Sequence, residues 1–102
     1  MTSIICDNDR SRFTIMIDGH SGYNPGNDIV CASCSILTYT LLNKLANMQT
    51  EEFDSQEYDE GFVISVKGTR ETWPEVKTVI ETIMLGYELL QEQYPANVSV
   101  TW

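Results

Sequence analysis

The sequence predicts one α+β domain in which two amphipathic helices cover one face of a single β-sheet, in the order ββαββαβ. Short segments that alternate apolar and polar residues are typical of strands with one buried face. Two longer segments repeat apolar residues every three or four positions, as amphipathic helices do. A chain of 102 residues with 42% hydrophobic content can fill one core but not two, so we expect residues 1–102 to form a single domain.

The first half of the chain predicts two strands and a helix. Residues 3–6 are a short apolar run, and residues 12–18 alternate polar residues with Phe13, Ile15 and Ile17. The first helix is predicted from Asp28, a favourable N-cap residue, to about Asn47. Its apolar positions recur at helical spacing: Val30, Cys34, Leu37, Leu41, Leu45 and Met48.

The second half predicts a hairpin, a helix and a last strand. Residues 56–60 are expected to form a polar edge strand and residues 62–67 a clearer one, with Gly61 in a tight turn between them. Thr72 and Glu75 have the spacing of a capping box, with Pro74 in the first turn of the helix. The helix then follows its apolar repeat until Pro95 stops it, and residues 98–102 alternate as a final strand.

The charge balance excludes the basic surface of a typical nucleic-acid binder. The chain carries 15 acidic and six basic residues, a net charge of -9. Six of the acids fall within one ten-residue stretch: Glu51, Glu52, Asp54, Glu57, Asp59 and Glu60. We favour a solvated connecting loop for this stretch, and the alternative is a patch that attracts a basic partner.

The chain shows no charged-then-apolar signal segment and no apolar run near twenty residues, so we expect neither export nor membrane insertion. An odd number of cysteines, three, also argues against a secreted disulfide framework. We therefore expect a cytoplasmic protein with reduced thiols.

The segment from residue 18 to residue 35 carries the only histidine, His20, eleven positions before Cys31. Three glycines and a proline in the stretch before Asp28 predict a loop that brings the imidazole back over the thiol. Cys31 would lie in the first turn of the helix, where free amides and the helix dipole favour a thiolate, although the Asp28 carboxylate opposes it. A thiol and an imidazole so placed form a nucleophile and its general base.

The string Gly19-His20, a glycine-containing loop, and Asp28-Ile29-Val30-Cys31-Ala32 followed by Ser35 resembles the signature of the Prp family of ribosomal-processing cysteine proteases. These small bacterial enzymes remove an N-terminal extension from a large-subunit ribosomal protein. The resemblance implies a cysteine endopeptidase without cofactor or metal, a basic ribosomal protein or peptide as substrate, and a homodimer. The short N-terminus departs from the family and predicts a trimmed or bulged sheet edge.

The resemblance assigns Cys31 as nucleophile and His20 as general base. It gives supporting roles to Gly19, Asp28 and Ser35, with Asp28 capping the helix and Ser35 bonding back into its first turn. The amide of Cys31 is a candidate for stabilising the oxyanion, because amides at a helix start are otherwise unpaired.

The glycine loop is expected to act as a lid over bound peptide, with Gly22 and Gly26 permitting movement and Tyr23 contacting the aromatic end of the substrate. Asp18 is a weaker candidate for orienting the imidazole. Two alternatives remain open for the whole chain: a binding or assembly protein that keeps the fold without cleaving, and a phage-encoded protease with a non-ribosomal substrate.

Cys34 makes a Cys-x-x-Cys pair with Cys31, a spacing also found in redox motifs and zinc half-sites. No second ligand pair stands at a usual zinc spacing, and a redox motif normally follows a buried strand directly. We therefore expect Cys34 and Cys6 to be small buried core residues.

Overall fold

The computed structural model describes residues 1–102 and contains one five-stranded mixed sheet and two helices, which confirms the predicted α+β class and the order ββαββαβ. The elements are β1 (Thr2–Asp9), β2 (Arg12–Asp18), α1 (Ile29–Ala46), β3 (Thr50–Tyr58), β4 (Gly61–Gly68), α2 (Trp73–Gln93) and β5 (Val98–Thr101).

The strands lie in the order β3-β4-β2-β1-β5, so β1 and β2 form the middle of the sheet together with β4. All neighbouring pairs are antiparallel except β1 and β5, which are parallel. The chain reaches β5 from β4 through α2. The expectation of a trimmed or bulged first strand is wrong, because β1 has eight residues and pairs on both sides. The one irregularity lies in β3, between Thr50 and Glu52.

The core lies between the helices and one face of the sheet. Seventeen buried apolar residues from β1, β2, β4, β5 and both helices form one cluster, and Phe13, Ile15 and Ile17 supply the contribution of β2 as predicted. The opposite face is open, with Ile5 and Met16 about 40% exposed. Both helices thus cover the same side of the sheet.

The acidic stretch is not the connecting loop that we favoured, because residues 50–58 form the full edge strand β3. Apart from Phe53 and Tyr58, both faces of the strand carry polar side chains, which hides the strand periodicity. The strand is held by backbone pairing to β4 and by ion pairs of Glu52 with Arg12 and of Glu51 with Lys67. Charged side chains along an exposed edge also oppose pairing with another chain.

The two helix starts differ. Asp28 caps α1 through its side chain, as predicted. The capping box of α2 is wrong, because Thr72 has helical backbone angles and its hydroxyl bonds with Thr69 instead of with the helix amides.

The length and composition of α1 would also permit a membrane-spanning helix, contrary to the expectation of no such apolar run. In the fold its apolar side is occupied, because Val30, Cys34, Leu41 and Leu45 lie in the core shared with the sheet and α2.

Candidate active site

Gly19 directly follows β2 and sets the direction in which the chain leaves the sheet towards His20. Its φ of +90° lies in the left-handed region that favours glycine, and a Cβ there would lie 2.4 Å from the carbonyl oxygen of Met1. Its amide donates to the carbonyl of Glu60 at 2.8 Å, which ties the end of β2 to the β3–β4 turn. No side chain larger than hydrogen fits at this position without moving the first residue of the chain.

Asp28 fastens the loop to the start of α1. One carboxylate oxygen accepts from the amides of Val30 and Cys31, each at 2.9 Å. The other accepts from the hydroxyl of Ser21 at 2.5 Å and from the amides of Tyr23 and Asn24. Desolvation raises the pKa of Asp28, but these bonds outweigh it and hold that pKa well below its usual range.

The same bonds overturn the proposed oxyanion role of the Cys31 amide. That amide donates to the side chain of Asp28, and the amide of Ala32 donates to the Asp28 carbonyl at 3.0 Å. The side chain of Asp28 thus occupies the amides of Val30 and Cys31, which a bare helix start would leave free. The backbone amide that does donate to the thiol is that of Ser21, whose nitrogen lies 3.2 Å from the Cys31 sulfur.

Cys31 and His20 line the same two clefts, one of about 190 Å³ towards the β3–β4 hairpin and one of about 350 Å³ under the glycine loop. The thiol is partly buried, whereas the imidazole is 69% exposed. The two side chains share no hydrogen bond, and the sulfur bonds to Ser21. The loop therefore brings the predicted pair to the same clefts without a hydrogen bond between the two groups.

The carboxylate beside His20 belongs to Glu60 and not to Asp18. The imidazole Nε2 lies 3.9 Å from a Glu60 carboxylate oxygen, whereas Asp18 lines the groove on the opposite, open face of the sheet. Residues in a strand alternate between faces, so the period-2 pattern of β2 already disfavoured Asp18. Glu60 was missed because its position depends on the pairing of Asp18 with Gly61 across β2 and β4.

Ser35 lines the cleft that contains Cys31 and is exposed, but its hydroxyl makes no bond back into the first turn of α1. The expected structural bond is wrong for Ser35. Three other hydroxyls of α1 bond to the carbonyl four residues earlier, those of Ser33, Thr38 and Thr40, and only Ser33 reaches the first turn, at Ile29. The role of Ser35 in the cleft remains a prediction.

Cys34 and Cys6 are buried in the core, as predicted. Burial raises the pKa of each thiol to about 11, with a smaller contribution from neighbouring negative charge. Both thiols are therefore protonated near neutral pH and shielded from solvent, which suits packing and not nucleophilic attack.

The predicted substrate loop is anchored at both ends, by Ser21 and Asp28, and exposed between them. Ser21 is buried, and its carbonyl accepts from the side chain of Asn97 at 2.9 Å. Gly22 and Gly26 follow with φ of +70° and +89° and no atoms near their absent side chains. Tyr23 is 48% exposed and contacts Tyr94 edge to face, with ring centroids 5.2 Å apart.

The β3–β4 hairpin gives the cleft an acidic wall. Glu57, Asp59 and Glu60 line it opposite the imidazole. Tyr39 of α1 bridges the cleft, donating its hydroxyl to Glu57 at 3.2 Å and contacting the ring of Phe62. That hydrogen bond, with the charge of Glu57, raises the pKa of Tyr39. A peptide with positive charges would meet complementary potential here.

Comparisons with known proteins agree with this arrangement. The sequence profile of the family described as "Cysteine protease Prp" matches residues 1–99. Two curated proteins from strains of Staphylococcus aureus, each named "Ribosomal processing cysteine protease Prp", are 24% identical over 104 residues that cover all of this chain and 98% of the relative.

Solved structures share the fold over the whole chain. A crystal structure of the Staphylococcus aureus protease Prp with a covalently linked product peptide superimposes with a TM-score of 0.80 at 22% identity, covering 99% of this chain and 98% of that one. The crystal structure of SMU.848 from Streptococcus mutans gives a TM-score of 0.70 at 25% identity, covering 100% and 96% of the two chains.

Proposed function

The chain belongs to the Prp family of cysteine proteases, and from this we propose that it removes the N-terminal extension of a large-subunit ribosomal protein, with Cys31 and His20 as its catalytic dyad. The observation that carries the proposal is the position of the Cys31 thiol in the first turn of α1, in a cleft that His20 also lines. The names of the Staphylococcus aureus relatives support the choice of a ribosomal substrate.

The dyad would act in two half-reactions. His20 takes the thiol proton as the Cys31 sulfur attacks the scissile carbonyl carbon, and the imidazolium then protonates the departing amine as the C–N bond breaks. Water, deprotonated by the same imidazole, attacks the thioester that remains. The carboxylate product leaves, and the proton returns to the sulfur.

The acidic wall supports a basic substrate. Three carboxylates of the hairpin face the cleft, and the chain as a whole carries nine more negative than positive charges. Such a field raises the encounter rate with a positively charged peptide and repels nucleic acid. We therefore propose direct binding of the ribosomal protein and no binding of RNA by this chain alone.

The loop over the cleft would close on the peptide. The segment from Gly22 to Asn27 is exposed, whereas Ser21 before it and Asp28 after it are fastened by hydrogen bonds. Asp28 also holds the amides of Tyr23 and Asn24, so closure would move the Tyr23 side chain and the residues after Asn24. Tyr23 would then exchange part of its contact with Tyr94 for the aromatic end of the substrate.

The remaining parts of the proposal concern assembly and location. We propose a homodimer formed through the open sheet face, where Ile5, Met16 and Val63 line a groove of about 700 Å³. Sedimentation of the protein beside its Met16→Lys variant tests this, because a monomer in both samples would contradict it. We also propose a cytoplasmic location, where its substrate is made.

The substrate is tested by incubating the protein with the N-terminally extended ribosomal protein of a matching host and measuring intact masses. We expect one cut near the N-terminus that Cys31→Ala abolishes and Cys34→Ala retains. An uncut substrate that a family relative does cleave would contradict the ribosomal assignment and favour a different protein substrate.

A further inference from the structure

Ser21 is the one polar side chain that bonds directly to the Cys31 sulfur, and the general chemistry of the dyad does not use it. It is 2% exposed, although it lies in a glycine loop beside an open cleft. Its hydroxyl oxygen lies 3.4 Å from the sulfur and 2.5 Å from a carboxylate oxygen of Asp28.

The direction of these hydrogen bonds follows from counting hydrogens. A serine hydroxyl has one hydrogen and two lone pairs. Asp28, whose pKa is held low, is an anion and only accepts, so the hydroxyl hydrogen of Ser21 goes to Asp28. The lone pairs then accept from the amide of Tyr23 at 3.3 Å and from the thiol hydrogen of Cys31.

This arrangement fits a thiol and not a thiolate. If Cys31 lost its proton, a hydroxyl lone pair would face the negative sulfur unless the hydroxyl turned away from Asp28. Turning would cost Asp28 a short, charge-assisted bond. The amide of Ser21, which donates to the sulfur at 3.2 Å, favours the thiolate but does not depend on the serine side chain.

We propose that Ser21 is a positioning residue that holds the resting Cys31 as a thiol, with its hydrogen turned away from His20 and towards the Ser21–Asp28 pair. The nucleophile becomes active when the S–H group rotates from the Ser21 oxygen to the imidazole nitrogen, which then accepts the proton. No atom is gained or lost at Ser21 in this step. The inference rests on the proposed nucleophilic role of Cys31.

Other titratable groups near the cleft bear on the ionisation of Cys31. Asp28, Cys34 and Tyr39 belong to α1 or its cap, and His20 lies on the loop. The hairpin contributes Glu57, Tyr58, Asp59 and Glu60. All of these groups are present in both the parent chain and Ser21→Ala, so a difference between the two chains reports the loss of the Ser21 hydroxyl.

The test is the pH dependence of alkylation of Cys31 by iodoacetamide, followed by peptide mass, in the parent chain and in Ser21→Ala. Loss of the hydroxyl should move the midpoint of the rate profile to lower pH, with alkylation about threefold faster near pH 6, because one weak hydrogen bond to the thiol is removed. Ser33→Ala is the matched control, since its hydroxyl bonds to the Ile29 carbonyl in the same turn. That variant should leave the profile unchanged.

An unchanged midpoint in Ser21→Ala, or a move to higher pH, would overturn the proposal, and an equal change of rate at every pH would indicate a packing role only. The thiolate absorbance of the parent chain and of Ser21→Ala, each measured against the same chain with Cys31→Ser, gives the same midpoints without a reagent. A Cys31 no more reactive than buried Cys6 would instead contradict the proposed nucleophile, so the two failures are distinguishable.

Discussion

Replacement of Gly19 by alanine tests how the fold presents His20. The residue has a positive φ, and the added Cβ would lie 2.4 Å from the Met1 carbonyl oxygen, below the 3.0 Å that such contacts keep. Gly22 is the matched control, because it also has a positive φ but has nothing within 4 Å of its missing Cβ. The two substitutions share the backbone strain and differ in the clash.

The magnitudes can be estimated separately. A left-handed alanine costs about 1–2 kcal/mol, which is the whole expected loss for Gly22→Ala. Overpacking against backbone adds about 1–3 kcal/mol more in Gly19→Ala. In a domain of this size each kcal/mol lowers Tm by about 4–8 °C, so the Gly19 variant should melt well below the Gly22 variant.

Thermal unfolding followed by circular dichroism measures both losses. Gly19→Ala should also lower the cleavage rate by about 10²-fold at temperatures where it is folded, because a shift of about 1 Å in the general base misaligns it. If Gly19→Ala cost no more stability than Gly22→Ala, the contact with Met1 would not constrain the loop. The account of how His20 is placed would then be refuted.

Three further predictions concern ionisation, the loop and the acidic wall. The thiols of Cys6 and Cys34 have an ordinary pKa of 9.0 and a folded pKa of about 11, so their burial stabilises the fold below pH 9 and that stability is lost as pH rises towards 11. Denaturant unfolding across this pH range should show a smaller loss of unfolding free energy in Cys34→Ala than in the parent chain. An equal loss would contradict the assignment of this pH dependence to the Cys34 thiol. Tyr23→Ala should raise KM for a peptide ending in an aromatic residue by about tenfold while Tm changes little, and unchanged turnover would remove Tyr23 from the substrate site. Glu60→Gln should raise KM for a basic peptide about twofold and flatten its salt dependence, whereas an unaltered salt dependence would exclude the hairpin from substrate binding.

The strand with the clearest apolar alternation could be predicted with its bounds, and the mostly polar edge strand could not. β2 has the predicted bounds because Phe13, Ile15 and Ile17 all enter the core. β3 was predicted six residues too short at its start, because its polar side chains carry no period and its pairing with β4 defines it. The capping box of α2 failed because Thr69 competes locally for the Thr72 hydroxyl.

The features of the candidate site also fall into those that could be predicted from the sequence and those that could not. The Asp28 cap and the burial of Cys34 follow from local spacing along α1, and both predictions are confirmed. The contacts of Ser21 and Glu60 depend on how the loop folds back and on the strand register, which local patterns do not encode. Asp28, the predicted cap, also accepts the hydrogen bond of the Cys31 amide and so removes that amide as an oxyanion donor. This consequence becomes clear only from the hydrogen bonds of the folded chain.

The most direct test of the central claim is a single-turnover reaction of excess protein with the extended ribosomal protein, quenched in acid and analysed by peptide mass. We predict a thioester adduct on the peptide that contains Cys31, formed in the parent chain and in Cys34→Ala. His20→Ala should form the adduct far more slowly. Cleavage without any adduct, or cleavage retained in Cys31→Ala, would contradict the assignment of Cys31 as the nucleophile.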